Sequence, residues 1–529
     1  RYETQVGQFG PEAQVITGGG RSLTYTTPDG SDLASASGTV TLLPPTGVHD
    51  TLKFIPGTGF DLMEKSTRLT YRYGLSGGAG NAIWRLTRIT DRSGNQMTFD
   101  VGTDSGKINS ITDPAGRVVN FTYNGSNLCT SITVPDGRTI TFQYDSHKNL
   151  TGITDMAGYT GSYTYDEKGF LKRMTTAGRV TRFAWKTRPG SEKTTDVPDA
   201  DEDKILTSVT NHAGGMVKYE LLPKDGGVKR TDTRGEVMVF KSKDGQTTGI
   251  TDPLGSVRSI DYTDGKRPAS FTDDLGKVVK FDYDEDGNMT SFTDALGNVT
   301  TLAYDDDDNL VSRTNPLGKV WTYAYDVSHR LTSVKTPLLH ETVMAYHPNG
   351  RLHTSQDARG GTTTFTYDSF GNLATVTDPL GKVLQRGYDA HGLRCTQLTD
   401  PRGKTKSLSY EGNDRLVNVE YTSAPGTPER ENTFNAFGQT SFTDELGNTI
   451  EVERDDFGYV TSVTDALGHV STTEYDPNHN PTRRTDALGR VITTTYDDMN
   501  RPLIITDARG KQSTRTYDDA GNLKSFSDE

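Results

Sequence analysis

Three aspartates at alternate positions, Asp282, Asp284 and Asp286, are followed by Gly287, the spacing of the first half of a calcium-binding EF-hand loop. Such a loop takes oxygen ligands from alternate residues and closes with a bidentate glutamate at its twelfth position. The twelfth position here is Thr293, and neither flank has helical periodicity, so a tight turn is expected instead of a calcium site. His340, His347 and His353 lie close in sequence, but their spacing matches no metal motif and no cysteine is near. The acidic run Asp305 to Asp308 reads as a solvated turn. Cys129 and Cys395 are the two cysteines of the chain, far apart in sequence, so disulfides do not hold the fold. Phosphate-binding loops and zinc-protease helices are absent from the sequence. No cofactor, metal or catalytic residue is expected, and the chain is not read as an enzyme.

The segment around the three aspartates is one copy of a longer pattern. Stepping by 21 residues, rarely 22, from the glycine of "TDALG" gives Gly255, Gly276, Gly297 and Gly318, then Gly360, Gly381 and Gly403, then Gly447, Gly468, Gly489 and Gly510. The doubled steps hold degenerate copies, "TPLL" at Thr336 to Leu339 and "APG" at Ala424 to Gly426. Upstream, the same ruler reaches Gly94, Gly116, Gly137, Gly158 and Gly178, then Gly214 and Gly235 after one longer step. A fixed period of this length defines an internal-repeat protein.

Between its glycines each unit carries a Tyr-Asp pair followed by a second turn: Tyr283-Asp284, Tyr304-Asp305, Tyr367-Asp368, Tyr388-Asp389, Tyr496-Asp497 and Tyr517-Asp518. The intervening runs alternate, with Val279, Phe281 and Tyr283 set against Val278, Lys280 and Asp282. Period two with Gly, Asp and Asn punctuation predicts strands and hairpins. The glycines suit a positive φ, and Asp and Asn close turns through their side chains. One 21-residue unit is therefore one β-hairpin.

Hydrophobic residues make up 32% of the 529-residue chain, too few for a solid core of that size. The composition suits a sheet one layer thick and wetted on both faces. Strands twist, so a long ribbon of them must coil. The fold class expected is all-β: tandem hairpins coiled into a spiral, hollow, antiparallel sheet. With 70 acidic and 57 basic residues the net charge is −13, and without a basic cluster a nucleic-acid partner is not expected. No apolar run is long enough for a membrane-spanning helix.

The repeated "TDPLGKV" and "YDSFGNLATVTDPLG" resemble the YD repeats of bacterial Rhs proteins, shared with shell-forming components of Tc insecticidal toxins and with teneurins. The resemblance covers residues 84 to 529, and "WRLTRITDRSGN" from Trp84 resembles the way such cores begin. It implies a hollow β-shell that encloses a C-terminal toxin domain, absent from this chain, in a protein that is secreted or displayed at the cell surface and engages delivery machinery. The family's closing "DPxGW" segment is missing. Asp113, Asp252, Asp378 and Asp400 start Asp-Pro-x-Gly turns followed by Arg, Ser or Lys, and Trp84, Trp185 and Trp321 all lie away from the C-terminus. The chain stops near Asp528 in mid-turn and carries no targeting signal, which suggests a fragment whose edge around Tyr517 to Leu523 could self-associate. Residues 1–83 lack the repeat and are read as a plug or as the start of the shell. The polar run Lys186 to Lys204 reads as an inserted loop. The competing reading is a surface adhesion or glycan-binding module in which exposed tyrosines stack on sugars.

Overall fold

The computed structural model describes the chain apart from residues 1–4, 17–21, 47, 76–82, 103–105, 177–178, 188–203, 212–213, 223–225, 234, 244–245, 264–266, 423–427, 437, 456–457, 498–499, 519–522 and 529. Gly178, the Ala424 to Gly426 turn and most of the loop between Lys186 and Lys204 therefore lie outside the described residues. The rest comprises forty-eight antiparallel strands and one short 3-10 helix. Two units divide the chain, one of residues 1–140, 262–269 and 279–405, the other of residues 141–261, 270–278 and 406–529.

The hairpin of the repeat has two unlike ends. Strand Val299–Tyr304 pairs with Leu310–Thr314 through Leu302↔Arg313 and Ala303↔Ser312, but the register slips before Tyr304↔Leu310. The same slip recurs in the second unit, where Glu474↔Arg483 is followed by Tyr475↔Pro481. A bulge thus marks each Tyr-Asp turn, increasing the local twist. At the other end the strands close without a slip, as in Thr293↔Val299. Alternation along Val299–Tyr304 leaves Thr300, Leu302 and Tyr304 half-buried and Val299, Thr301 and Ala303 exposed. The array is a single layer. In keeping with this, the molecule exposes 30858 Å², against about 19,000 Å² for a compact protein of its mass.

Residues 5–90 of the first unit are built differently. Strand Gln5–Phe9 pairs with Glu12–Ile16, which pairs with Ser22–Thr26. Thr26 bridges to Leu43, next to strand Val40–Leu42, which pairs with Thr51–Ile55. Strands Gly59–Met63, Thr70–Leu75 and Ile83–Thr90 follow in order, and Trp84 of the last pairs back with Val6 of the first. Eight strands therefore form a closed ring. Each sends at least one buried side chain inward: Val6, Ala13 and Val15, Tyr25, Leu42, Leu52 and Phe54, Phe60, Tyr73, and Trp84. A ring of eight strands is just wide enough for side chains to fill it. Leu33, on the 3-10 helix Leu33–Ser35, joins this core, and its N–H bonds to the Gly10 carbonyl. Beyond this ring, the one buried apolar residue in the described chain is Val180. The strand Ile83–Thr90 also pairs with Gln96–Val101, so the last strand of the ring begins the array.

Candidate functional site

The residues that recur are turn residues, and the turns share one geometry. In the turn from Asp294 to Asn298, the Gly297 N–H donates to the Asp294 carbonyl and the Asp294 N–H to the Asn298 carbonyl. The Asp294 carboxylate accepts from the N–H groups of Leu296 and Asn298, both at 2.9 Å, and from the Asn298 side chain. These hydrogen bonds, that of the Asn298 amide foremost, hold its carboxyl below the usual range. Gly255, Gly276, Gly297, Gly318, Gly360, Gly381, Gly403, Gly447, Gly468, Gly489 and Gly510 all occupy the fourth position of such a turn, with φ between 71° and 87°. At Thr336 to Leu339 the fourth residue is Leu339, held at φ 63°.

The Tyr-Asp turns close in the same way. The carboxylate of Asp284 accepts from the Asn288 N–H at 2.7 Å, and those of Asp305, Asp368, Asp389 and Asp497 accept at 2.8 Å from Asn309, Asn372, Leu393 and Arg501. Asp518 offers its carbonyl to Arg501. The three aspartates of the calcium-like stretch diverge: Asp282 accepts from Ser291, Asp284 from Asn288, and the Asp286 carbonyl from Lys65. The tyrosines tie one hairpin to the one before it. The hydroxyl of Tyr283 donates to the Pro268 carbonyl, and Tyr304, Tyr367, Tyr388, Tyr496 and Tyr517 donate to Met289, Leu352, Leu373, Pro481 and Pro502, at 2.9 to 3.1 Å. Burial pushes the phenols of Tyr283, Tyr304, Tyr388 and Tyr496 up, which keeps them donors.

Contacts far apart in sequence arise where turns meet turns inside each unit. In the first, Arg92 donates to the His329 carbonyl, Asn95 to Asn349 and Arg117 to Gly392, at 2.7 to 2.9 Å. In the second, Asn413 donates to the Asp155 carboxylate at 2.9 Å, Arg179 to the Asp455 carbonyl at 2.6 Å, and Asn478 to the Asp232 carboxylate at 2.9 Å. Apart from the Arg179 contact, each sets a Thr-Asp turn of an early repeat against a Tyr-Asp-type turn of a late one. Approach is close: a Cβ on Gly350 would come within 2.1 Å of Ser93, and one on Gly412 within 2.7 Å of Ala157. Each unit is thus seamed to itself through its turns.

The turn at Glu64 to Leu69 in the N-terminal ring joins the seam of the first unit. Lys65 reaches the Asp308 carboxylate at 3.0 Å and the Asp286 carbonyl at 2.7 Å, and Arg68 bonds to the Asp307 carbonyl. Asp305, Asp306 and Asp307 stay exposed in the solvated turn that the sequence predicts, while Asp308 and the Asp307 carbonyl also receive the N-terminal ring. Burial would raise the Asp308 carboxyl, but Asn288 and Lys65 outweigh it and hold it below its ordinary value. Beside this contact lies a cavity of about 510 Å³, lined by His49, Asp50, Arg68, Arg267 and Asp286 among others. Burial first, then Arg267 and Lys65, push the His49 imidazole down.

The histidines proposed and rejected as ligands lie apart from any such cluster. The rings of His347 and His353 meet at a tilt of 57°, 4.4 Å between centroids, while the His340 N–H bonds to Thr336. Among the described residues no three His, Cys, Asp or Glu side chains converge on one point, and no helix is long and apolar enough to cross a membrane. Sequence reasoning missed the seam donors Arg92, Asn95, Arg117, Arg179 and Asn413 and the latch residues Lys65 and Arg68. The filled ring shows alternation only within single strands, as at Leu52 and Phe54, and no period joins one strand to the next.

The RHS Repeat family model matches residues 283–316, 304–338, 346–383 and 475–512, and the Teneurin YD-shell model matches residues 59–218. No curated protein matches the chain. Among solved structures it is similar to TcdB2-TccC3 without its hypervariable C-terminal region, at 11% identity and a TM-score of 0.47, over 99% of this chain and 35% of that one. It is also similar to the Tc holotoxin pore of Photorhabdus luminescens, at 11% identity and a TM-score of 0.37, again over 99% and 35%. The chain spans about a third of the length of these matched chains.

Proposed function

Because this chain belongs to the Rhs/YD-repeat family, we propose that it is part of the wall of a hollow, spiral β-shell that encloses a C-terminal toxin domain of a longer protein and shields it until delivery outside the cell. The observation that carries the reading is the seam of turn contacts. A single-layer sheet has too little buried apolar surface to hold a cargo by a core of its own, but when its distant turns lock together it becomes a wall. Asn413 to Asp155 and Arg117 to Gly392 are locks of this kind. The N-terminal ring, filled with side chains and latched by Lys65 and Arg68, suits a plug for such a wall.

The glycan-binding alternative finds no support in the signature tyrosines. Their hydroxyls are committed to carbonyls of the preceding hairpin, and their rings are half-buried.

The test is protease protection of the full-length protein that contains this chain. A downstream domain that survives added protease while the shell is folded, and is cleaved once the shell is melted, supports enclosure. A downstream domain cut as fast as a free linker sinks it. Electron microscopy of the same protein should show a central void.

A further inference from the structure

Where a turn begins with an acid and ends with arginine at its fifth residue, the two side chains pair. Arg117 binds Asp113, Arg330 binds Asp326, Arg490 binds Asp486 and Arg501 binds Asp497 at 2.6 Å, and Arg415 binds Glu411 at 3.1 Å. The turn from Thr263 to Arg267 closes in the same way: the Thr263 N–H donates to the Arg267 carbonyl at 2.8 Å, and the Arg267 N–H to the Thr263 hydroxyl at 3.2 Å. Threonine stands where those turns have a carboxylate, so Arg267 lacks the counter-ion that its equivalents have. Among the described residues its guanidinium makes no ion pair and no hydrogen bond; it lies half-buried against Gly287 and 5.6 Å from the centre of the Tyr283 ring. This cation borders the cavity of about 510 Å³ beside the latch of the N-terminal ring, and so does His49. The acids of that lining are engaged or turned outward. Asp308 pairs with Lys65 at 3.0 Å and accepts from Asn288 at 2.7 Å, Asp50 accepts the Lys65 N–H at 2.9 Å, and the Asp286 side chain is 77% exposed. Arg68 donates to neutral acceptors, the Asp307 carbonyl and the Asn309 side chain. Burial, then Arg267 and Lys65, push the His49 imidazole down, and Asp286 and Asp50 oppose them less strongly. Positive potential is therefore left over where Arg267 and His49 face the cavity.

We propose that this cavity binds a sugar phosphate, with the phosphate held between Arg267 and His49. The planar fork of a free guanidinium matches phosphate oxygens. Arg267 and a protonated His49 together carry two charges, which a phosphate dianion meets and a single carboxylate does not. The cavity falls within the roughly 300 to 1,000 Å³ of small-molecule sites, and a bare ion would leave most of it empty. Ser66, Asn288 and Asp50 on the same lining offer hydrogen-bonding groups to a hydroxylated body. His49 belongs to the N-terminal ring and Arg267 to the array, so the ligand would bridge the two within the first unit. The site does not depend on the enclosure of a cargo.

The experiment is isothermal titration calorimetry of the whole chain with glucose 6-phosphate, inorganic sulfate and glucose at constant ionic strength. Saturable binding of glucose 6-phosphate at one site, weaker binding of sulfate and none of glucose are expected. Sulfate does not titrate near neutrality, so the pH dependence of its affinity reports the protein. That affinity should rise between about pH 8 and about pH 6 as His49 gains its proton, and the rise should vanish in His49→Gln. Arg267→Leu should weaken glucose 6-phosphate by at least about tenfold through loss of the charged donor. Thr263→Asp restores the acid that the other turns carry and, by recapturing Arg267, should also weaken binding; circular dichroism spectra like the parent's would show that both variants fold. Absence of saturable binding by either anion, glucose bound as tightly as its phosphate, an affinity unchanged by Arg267→Leu or by Thr263→Asp, or a sulfate affinity independent of pH would each overturn the proposal.

Discussion

The side-chain amide of Asn413 donates to the carboxylate of Asp155 at 2.9 Å, across 258 residues of chain. Arg415 adds a contact to Tyr159 in the same place, at 3.3 Å. Repeat arrays in which each unit touches only its neighbours tend to lose structure locally when one unit is damaged. This seam changes that expectation. Replacing Asn413 and Arg415 together by alanine should cost about 1 to 3 kcal/mol, because the partly buried Asp155 and Glu411 lose their donors. Hydrogen exchange should quicken at residues 155–159 as well as at 411–415. Quickening confined to 411–415 would show that the contact carries no stability.

Two glycines separate backbone strain from packing. Gly381 sits at φ 77° with open space where a side chain would be, whereas Gly412 has a negative or extended φ but lies against Met156 and Ala157. Gly381→Val should cost about 1 to 3 kcal/mol and Gly381→Asn much less, since asparagine tolerates the left-handed region. Gly412→Ala should cost a similar amount by opening the seam. Equal, negligible shifts in melting temperature for Gly381→Val and Gly381→Asn would remove the turn assignment.

Tyr367→Phe deletes the hydroxyl that donates to the Leu352 carbonyl at 2.9 Å. A loss of about 1 kcal/mol is expected, with the exposed carbonyl partly rescued by water. Chemical denaturation of the single variant and of Tyr367→Phe with Tyr496→Phe should show additive losses, because the two hydroxyls bond in separate hairpins and share no acceptor.

Acid should dismantle the wall by way of its turns. The carboxyls of Asp113, Asp136, Asp326 and Asp308 are all depressed: burial acts to raise them, and hydrogen bonds and cations overcome it. A group whose folded pKa lies below its unfolded value, about 3.9 for aspartate, stabilises the fold above that value. The contribution is lost as pH falls through the folded pKa. Stability should therefore be level near neutrality and fall steeply below about pH 4. Asp326→Asn should blunt the fall, and melting curves between neutral and acid pH would detect a missing transition.

Gly59 of the N-terminal ring has φ 132°, and a Cβ there would come 1.8 Å from the Tyr73 carbonyl and 3.0 Å from the Trp84 ring. Gly59→Ala should break the ring locally by about 3 kcal/mol or more. Trp84 fluorescence should shift red while strand content across the array persists. A cooperative loss of all strands at once would mean that ring and array do not unfold separately.

Much of this organisation is legible in the sequence because it is local. The turn at Asp294 declares itself by an aspartate, a glycine three residues on and an amide four residues on, and each of these makes its bond within five residues. The Tyr-to-carbonyl bond spans 15 residues but recurs with the period, so a strand-end role for the tyrosine is readable. The seam is not. Arg117 and Arg490 occupy equivalent places in their turns, yet Arg117 reaches the Gly392 carbonyl and Arg490 reaches only its own Asp486. What separates them is where the sheet returns, and no local pattern encodes that. The ring escapes notice for a different reason: its turns have unequal lengths, so Val6, Tyr25 and Trp84 converge without any shared interval.

The thinness of the array also sets how the molecule responds to temperature. An unfolded chain of this mass would expose about 84,000 Å², so a folded surface of 30858 Å² means that roughly 63% is buried, against about 75% for an ordinary domain of some 300 residues. The heat capacity of unfolding scales with the apolar area uncovered. Per residue it should be small here, and the curve of stability against temperature correspondingly broad and flat. Such a wall keeps nearly the same modest resistance in the cold as in the warm, and the filled ring at its N-terminus should carry a disproportionate share of whatever curvature is measured.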